Sequence, residues 1–386
     1  MTKQEPAIVP TILLVDNSRA VTGALNALRH AVGPLRGQYR FVWVLPAGST
    51  ARPVLEADGY PVYELPFVEI SRRKGDLLRY PLALLRNGWR LRQLARREGA
   101  AIVHLNDFYN LTGYVAQTLS RGRLRVLTHV RFLPQSLVQP LARTWRWLSA
   151  RRALYTVCVS EAVGRYFVGV ANARVVYDPL PGAERHPVPQ HPPRPDGTVE
   201  LLYLSNYIQG KGQDLALQAF RQVFAQHPHL RLRFVGGDMG LAKNREFRQA
   251  LEAQVLQAGL GEVVRFEGFA TDVEQVIKQA DVLLNFSESE SFSLTCLDAL
   301  YFGTPLIASD CGGPAELFEH GKSGLLVPNR DVAAMAAAIG QLGADADLRA
   351  RFAVAGRAYV RQKFAPANTF EQLGQLYRQA LSGAVG

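Results

Sequence analysis

The stretch 281–309, DVLLNFSESESFSLTCLDALYFGTPLIAS, decides the fold. It opens on an apolar run and passes through a Ser/Glu loop into a second apolar segment. It then turns at Gly303-Thr304-Pro305 and closes on another apolar run. Short, near-continuous apolar runs flanking a helix-length segment read as parallel strands buried on both faces, with a crossover helix between them. The spacing predicts a strand at 281–287, a helix after Phe292 and a strand at 305–310.

The same rhythm extends outward. Toward the N-terminus lie VELLYLS (199–205), LRLRFVGG (230–237) and VVRFEG (263–268), separated by helical patterns; GLLVP (324–328) and a helix from Val332 follow. The first half of the chain repeats the alternation with TILLVD (11–16), FVWVLP (41–46), PVYEL (61–65), AIVHL (101–105), RVLTHV (125–130) and YTVCVS (155–160). Helices are expected over 20–32, 52–58, 76–98 and 114–120. Between the halves, PLPGAERHPVPQHPPRPDG (179–197) carries too much proline for helix or strand and reads as a linker. The expectation is α/β: two doubly wound Rossmann-like domains, 1–181 and 199–364, joined by a Pro-rich linker at 182–198. Ligands would bind in a cleft between them, where strand C-termini meet. Phe370, Leu373, Leu376, Tyr377 and Leu381 stand at helical spacing and predict an amphipathic helix over 365–386.

Composition bounds the function. A chain of 386 residues exceeds one ordinary core, and 48% hydrophobic with 20% charged residues suits a soluble globular protein. No apolar run approaches the roughly 20 residues of a membrane span. The start, MTKQEPAIVPTILLVDN, lacks the basic region and long apolar stretch of a signal peptide, so a cytoplasmic location is expected. Cys158, Cys296 and Cys311 form no CxxC and read as small core residues. The net charge is +11, concentrated in the first half, where Arg72, Arg73, Lys74, Arg79, Arg86, Arg90, Arg92, Arg96 and Arg97 interleave with Leu77, Leu78, Leu82, Leu85, Trp89, Leu91 and Leu94. This segment reads either as a peripheral contact with an anionic membrane surface or as a solvated face on a core helix. Charge alone also admits a non-enzymatic binder of nucleic acid or anionic polymer, but no nucleic-acid motif is present and no specific nucleic-acid partner is expected.

Two loops carry the chemistry. In SNYIQGKGQD (205–214), Lys211 sits between Gly210 and Gly212 at a strand–helix junction, a place that favours an anion. Ser287 ends a strand, and Glu290 precedes a helix. The amides of Ser291, Phe292, Ser293 and Leu294 are expected as that helix's unpaired first turn, suited to a diphosphate, with Glu290 accepting from sugar hydroxyls. Asp298 lies two turns deeper. Singly, Glu290 is an ordinary helix-start carboxylate and Asp298 an ordinary helix position. Joined to Gly303–Pro305 and to Gly312, Gly313 and Glu316, they describe a grip on a ligand with both phosphates and sugar hydroxyls.

These motifs resemble a family. Ser287-x-x-Glu290-Ser-Phe-Ser-Leu, Asp298-Ala-Leu, Gly303-Thr-Pro-Leu-Ile-Ala, Gly312-Gly-x-x-Glu316 and Gly324-Leu-Leu-Val-Pro328 look like the signature of retaining glycosyltransferases of the GT-B fold, the "group 1" or family-4 type. Lys211-Gly212 is similar to the family's diphosphate-binding loop and Val264-x-Phe266-x-Gly268 to its nucleotide-side loop. In the first half Thr22-Gly23-Ala24-Leu25, Val103-His104, Thr128-His129 and Val159-Ser160-Glu161 fall in the family's order. The resemblance implies a sugar transfer from a nucleotide-diphosphate donor to a glycan, lipid-linked or small-molecule acceptor, in bacterial surface polysaccharide or glycoconjugate synthesis. An epimerase or hydrolase of the same fold is the alternative within the fold. Lys211 would neutralise the diphosphate, Glu290 contact the transferred sugar, Asp298 hold the ribose, and His129 lie near the anomeric centre or the acceptor. His104, Asn106 and Asp107 would line the acceptor side. No metal or other cofactor is implied, since a lysine and helix N-termini take the role of a divalent ion; no His/Cys cluster has ligand spacing. The family usually carries Glu where Asp298 stands and Arg where Asn206 stands, and its Gly-Gly phosphate loop is reduced to Gly23, with Arg19 as a substitute charge. In proteins of this type the C-terminal helix crosses back to the first domain; from sequence alone it could equally cap the second.

Overall fold

In the computed structural model, residues 9–67, 74–180, 194 and 196–383 are described, without the side chains of 74–78. Most of the predicted linker, together with Arg72 and Arg73 and the side chains of Lys74, Leu77 and Leu78, lies outside the described residues. The chain divides into two compact units, 1–179 with 366–386, and 180–365.

The first unit alternates β1 (Thr11–Val15), α1 (Gly23–Val32), β2 (Arg40–Pro46), α2 (Arg52–Ala57), β3 (Val62–Leu65), α3 (Lys74–Arg97), β4 (Ala100–Leu105), α4 (Thr112–Leu119), β5 (Arg125–Val130), α5 (Gln139–Arg152), β6 (Tyr155–Cys158), α6 (Glu161–Gly164) and β7 (Ala173–Val175). Its strands form one parallel sheet in the order β3-β2-β1-β4-β5-β6-β7. All five residues of β1 are buried, which is why it reads as an unbroken apolar run. One layer packs on α1 through Leu25, Leu28 and Val32, and the other on α3 and α4 through Leu91, Ala95 and Ala116.

The second unit runs β8 (Val199–Leu204), α7 (Gln213–Phe224), β9 (Leu230–Val235), α8 (Ala242–Gln257), β10 (Val264–Glu267), α9 (Val273–Lys278), β11 (Val282–Asn285), α10 (Leu294–Phe302), β12 (Leu306–Ser309), β13 (Leu325–Val327), α11 (Val332–Ala344) and α12 (Ala346–Lys363). Its parallel sheet has the order β10-β9-β8-β11-β12-β13. The last helix, α13 (Pro366–Ser382), belongs to the first unit, where Leu373, Leu376 and Tyr377 join the core around Tyr39 and Phe41.

Each sheet reverses its winding once, between β1 and β4 and between β8 and β11. Loops leaving adjacent strands to opposite sides open a crevice there, where doubly wound proteins bind ligands. Most of the residues singled out in the sequence lie at these two places; His129 on β5 and Gly268 after β10 do not.

Candidate active site

In the second unit, the loop after β8 is shaped by glycine. Gly210 and Gly212 have φ of 90° and 81°, in the left-handed region. A Cβ on Gly212 would stand 2.1 Å from the Phe286 carbonyl oxygen, so only glycine fits. Lys211 is thereby held against the loop that follows β11. Its carbonyl accepts from the Tyr203 hydroxyl, which itself accepts from the Phe286 amide at 2.8 Å. Its Nζ donates to Glu290 Oε1 at 2.7 Å, and the Ser287 hydroxyl reaches the same oxygen at 2.9 Å. Cation and carboxylate therefore meet across the switch point, one from each side. The lysine side chain keeps 32% of its exposure, so a second anion can reach it.

Glu290 is fixed by its backbone. It bridges Gly312, and its carbonyl accepts from the Gly313 amide at 2.8 Å. A Cβ on Gly313 would lie 2.3 Å from Phe292 Cα, which accounts for the glycine pair. The helix begins after Phe292 as expected, but the pairing corrects the predicted first-turn amides. Ser291 and Phe292 precede the helix, and Ser293 is its N-cap at φ 78°, with its hydroxyl accepting from the Cys296 amide at 3.4 Å. Phe292 packs its ring on Phe364, 5.5 Å away, instead of entering the first turn. The amides at the open end of α10 are therefore those of Leu294 and Thr295, not those of Ser291 to Leu294.

Asp298 lies half-buried on α10, and burial pushes its carboxyl up to about 7. Asn206 uses its side-chain oxygen to accept from the Gly237 amide at 3.1 Å, tying the β8 and β9 loops together. Gly268, after β10, has open space where a side chain would be, so nothing steric requires glycine there. The Asp345-Ala346-Asp347 pair, which the sequence reading passed over, starts α12, where Asp345 caps the Leu348 amide at 2.7 Å. Among the described residues no cluster of three His, Cys, Asp or Glu side chains could hold a metal ion. Cys158, Cys296 and Cys311 are free thiols in the core.

In the first unit a buried polar network spans the β1/β4 switch point. Asn106 donates to Asp16 at 2.5 Å and to the Ala24 carbonyl at 3.2 Å, and accepts from Arg131 Nε at 2.9 Å. Arg131 also bonds Asp178, and its Nη2 stands 3.2 Å from His129 Nδ1. His104 Nε2 lies 3.3 Å from the same nitrogen, and Tyr377 on α13 lies 2.6 Å from His104 Nδ1. His129 is 3% exposed, and its Nε2 finds no partner among the described residues. This corrects two expectations. His104 and Asn106 are fully buried with their side-chain nitrogen and oxygen atoms engaged, so they stand behind the site rather than lining it. Asp107, buried and near the Asp16 charge, has its carboxyl pushed well above the usual range. The sequence reading missed Asp16, Arg131, Asp178 and Tyr377; the position of Asp16 at the end of TILLVD was the one available signal.

Beside the network, Asn17, Arg19, Tyr80, Asn87, Tyr109 and Asn110 line a pocket that opens to solvent. Arg19 is exposed at its edge. Gly23 is the first residue of α1, after the N-cap Thr22, whose hydroxyl accepts from the Leu25 amide at 3.2 Å. The pocket offers guanidinium, amide and aromatic groups together, the lining that fits a polyhydroxylated or anionic molecule.

Two parallel, doubly wound sheets, with a lysine–carboxylate pair at one switch point, define the architecture of a two-unit α/β protein. The family models agree: Glycosyl transferases group 1 matches residues 185–359 and Glycosyltransferase Family 4 matches 36–179. The chain belongs to the group 1, family-4 glycosyltransferases. It is 34% identical to a D-inositol 3-phosphate glycosyltransferase of Corynebacterium urealyticum over 44% of this chain and 40% of that one. It is 31% identical to the human alpha-1,3/1,6-mannosyltransferase ALG2 over 45% of this chain and 43% of that one. The chain thus spans less than half the length of these curated relatives. Among solved structures, Anabaena Alr3699/HepE in complex with UDP and glucose superposes with a TM-score of 0.79 at 22% identity, covering 95% of this chain and 99% of that one. A sucrose-phosphate synthase of Thermosynechococcus elongatus gives 0.77 at 21%, covering 97% and 100%. The fold is GT-B.

Proposed function

We propose that this protein is a retaining glycosyltransferase that moves a sugar from a nucleotide-diphosphate donor held at the β8/β11 switch point. The observation that carries the reading is the Lys211–Glu290 pair. Lys211 can leave the carboxylate for the donor's diphosphate, and Glu290 is then free to accept from sugar hydroxyls. Charge grows on the diphosphate as the glycosidic bond breaks, so Lys211 and the open amides of α10 contribute most in the transition state. Asp298 would hold the ribose, Asn206 and Gly268 would border the nucleotide, and Ser287 would orient Glu290. His129 would serve the acceptor side, with the Arg19 pocket receiving the acceptor.

HepE, with UDP and glucose bound, makes UDP-glucose the first donor to try, and the inositol phosphate and mannosyl relatives widen the panel. The acceptor class proposed is a glycan or lipid-linked sugar of bacterial surface polysaccharide. A membrane contact is proposed with it. Leu82, Leu85 and Trp89 are 74%, 57% and 52% exposed on α3, on a face that also carries Arg79 and Arg86. No helix among the described residues is long and apolar enough to cross a membrane. Exposed apolar side chains ringed by arginine fit a surface contact with anionic lipid.

The test is a panel of nucleotide-diphosphate sugars with nucleotide release as readout and the product's anomeric configuration read by NMR. Release with one donor and an anomer matching that donor supports the proposal. No release with any donor, or an inverted product, contradicts it.

A further inference from the structure

We propose that Tyr377 and His104, acting with Arg131, are positioning residues that hold His129 in its Nε2–H tautomer, so that His129 meets the acceptor as a hydrogen-bond donor and not as a base. The proposal rests on the placement of His129 in the transfer site given above. The direction of each bond in the row is forced. Arg131 can only donate, so its Nη2, 3.2 Å from His129 Nδ1, makes that nitrogen an acceptor. His104 Nε2, 3.3 Å from the same lone pair, must then carry its proton outward as a second donor. His104 Nδ1 is left without a proton, and the Tyr377 hydroxyl donates to it across 2.6 Å. The proton of a neutral His129 therefore sits on Nε2.

The geometry also disfavours a charged ring at either position. A second proton on His129 would place an N–H against Arg131, and one on His104 would put a second cation in the buried row that already holds Arg131. Burial and the Arg131 charge act the same way, bringing His104 down to about 3 and His129 well below its ordinary value. His129 Nε2–H is a buried donor without a partner among the described residues, a state that folded proteins rarely tolerate unless a ligand completes it. A hydroxyl oxygen of the acceptor would complete it. The row ends on α13, where Tyr39 and Phe41 pack the Tyr377 ring at 5.4 and 6.0 Å. The C-terminal helix thus ends the row that, together with Arg131, sets the protonation of His129.

The experiment is ¹⁵N-histidine NMR on the full chain, with steady-state kinetics of wild type, Tyr377→Phe, His104→Gln and His104→Leu. The wild type is expected to show His129 protonated at Nε2 and bare at Nδ1. Tyr377→Phe should release His104 to a mixture of tautomers and lower kcat about fivefold, the scale of one neutral hydrogen bond, with donor KM little changed. His104→Gln keeps an N–H for His129 and should retain the wild-type tautomer; His104→Leu leaves Arg131 as the remaining donor to Nδ1 and should let the other tautomer appear beside it. His129 protonated at Nδ1 in the wild type overturns the proposal, whether or not the variants fold. So does a folded Tyr377→Phe with unchanged tautomers and kcat. Expected tautomers with full turnover in His129→Ala would instead remove His129 from the transfer site, ending the functional half while the tautomer assignment stood.

Discussion

Lys211 Nζ and Glu290 Oε1 lie 2.7 Å apart, joining the loop after β8 to the loop after β11. The pair is partly exposed, and such a contact adds only about 0–1 kcal/mol to stability. Its value is in poise: a donor diphosphate replaces the carboxylate on the lysine. Lys211→Ala should therefore lose on the order of 10²-fold in kcat, the scale of removing one oxyanion-type donor, with little change in thermal unfolding. Turnover near wild type would remove Lys211 from the chemistry.

Gly212→Ala tests the loop that presents the lysine. The new methyl would need a left-handed backbone, at φ 81°, and would overlap the Phe286 carbonyl at 2.1 Å. A cost of about 2–4 kcal/mol is expected from strain and overpacking together, read by urea unfolding. A cost below the strain alone would show that the loop can move aside.

Asp298 links stability to pH. An unfolded aspartate ionises near the usual carboxylate value, whereas burial holds the folded one protonated up to about 7. Between those values the folded state binds more protons than the unfolded, so stability falls as pH rises through that window and levels off above it. Asp298→Asn removes the fall. Its Tm relative to wild type should be higher at pH 8 than at pH 5, and an equal offset at both would contradict the shift.

The α3 face gives a binding prediction. Wild-type protein should sediment with vesicles of anionic lipid at low salt, and Leu85→Ser with Trp89→Ser should weaken this while the fold stays within about 0.5 kcal/mol, as surface changes usually do. A wild type that stays in the supernatant ends the membrane proposal.

The sheets were legible because their strands are buried on both faces and read as unbroken apolar runs, as in Thr11–Val15. The glycine loops were legible because Gly212 and Gly313 each sit where a methyl has no room. The set of open amides at the start of α10 was not. Phe292 looks like the first apolar residue of a helix, but Ser293 turns left-handed and sends that ring to Phe364. The network in the first unit was illegible for another reason. Asp16, Arg131, Asp178 and Tyr377 are single polar residues far apart in sequence, and only the fold brings them together. Periodicity does sort the α3 leucines: Leu82 and Leu91 fall on opposite faces of one helix, and Leu91 is fully buried while Leu82 is 74% exposed.

Calorimetric titration of a nucleoside diphosphate against its monophosphate, on wild type and on Lys211→Ala, tests the donor site most directly. The account predicts that the diphosphate binds wild type at least about 10-fold tighter, the scale of a charge-assisted contact, and that Lys211→Ala abolishes the preference. An unchanged preference for the diphosphate in Lys211→Ala would contradict the placement of the donor on Lys211.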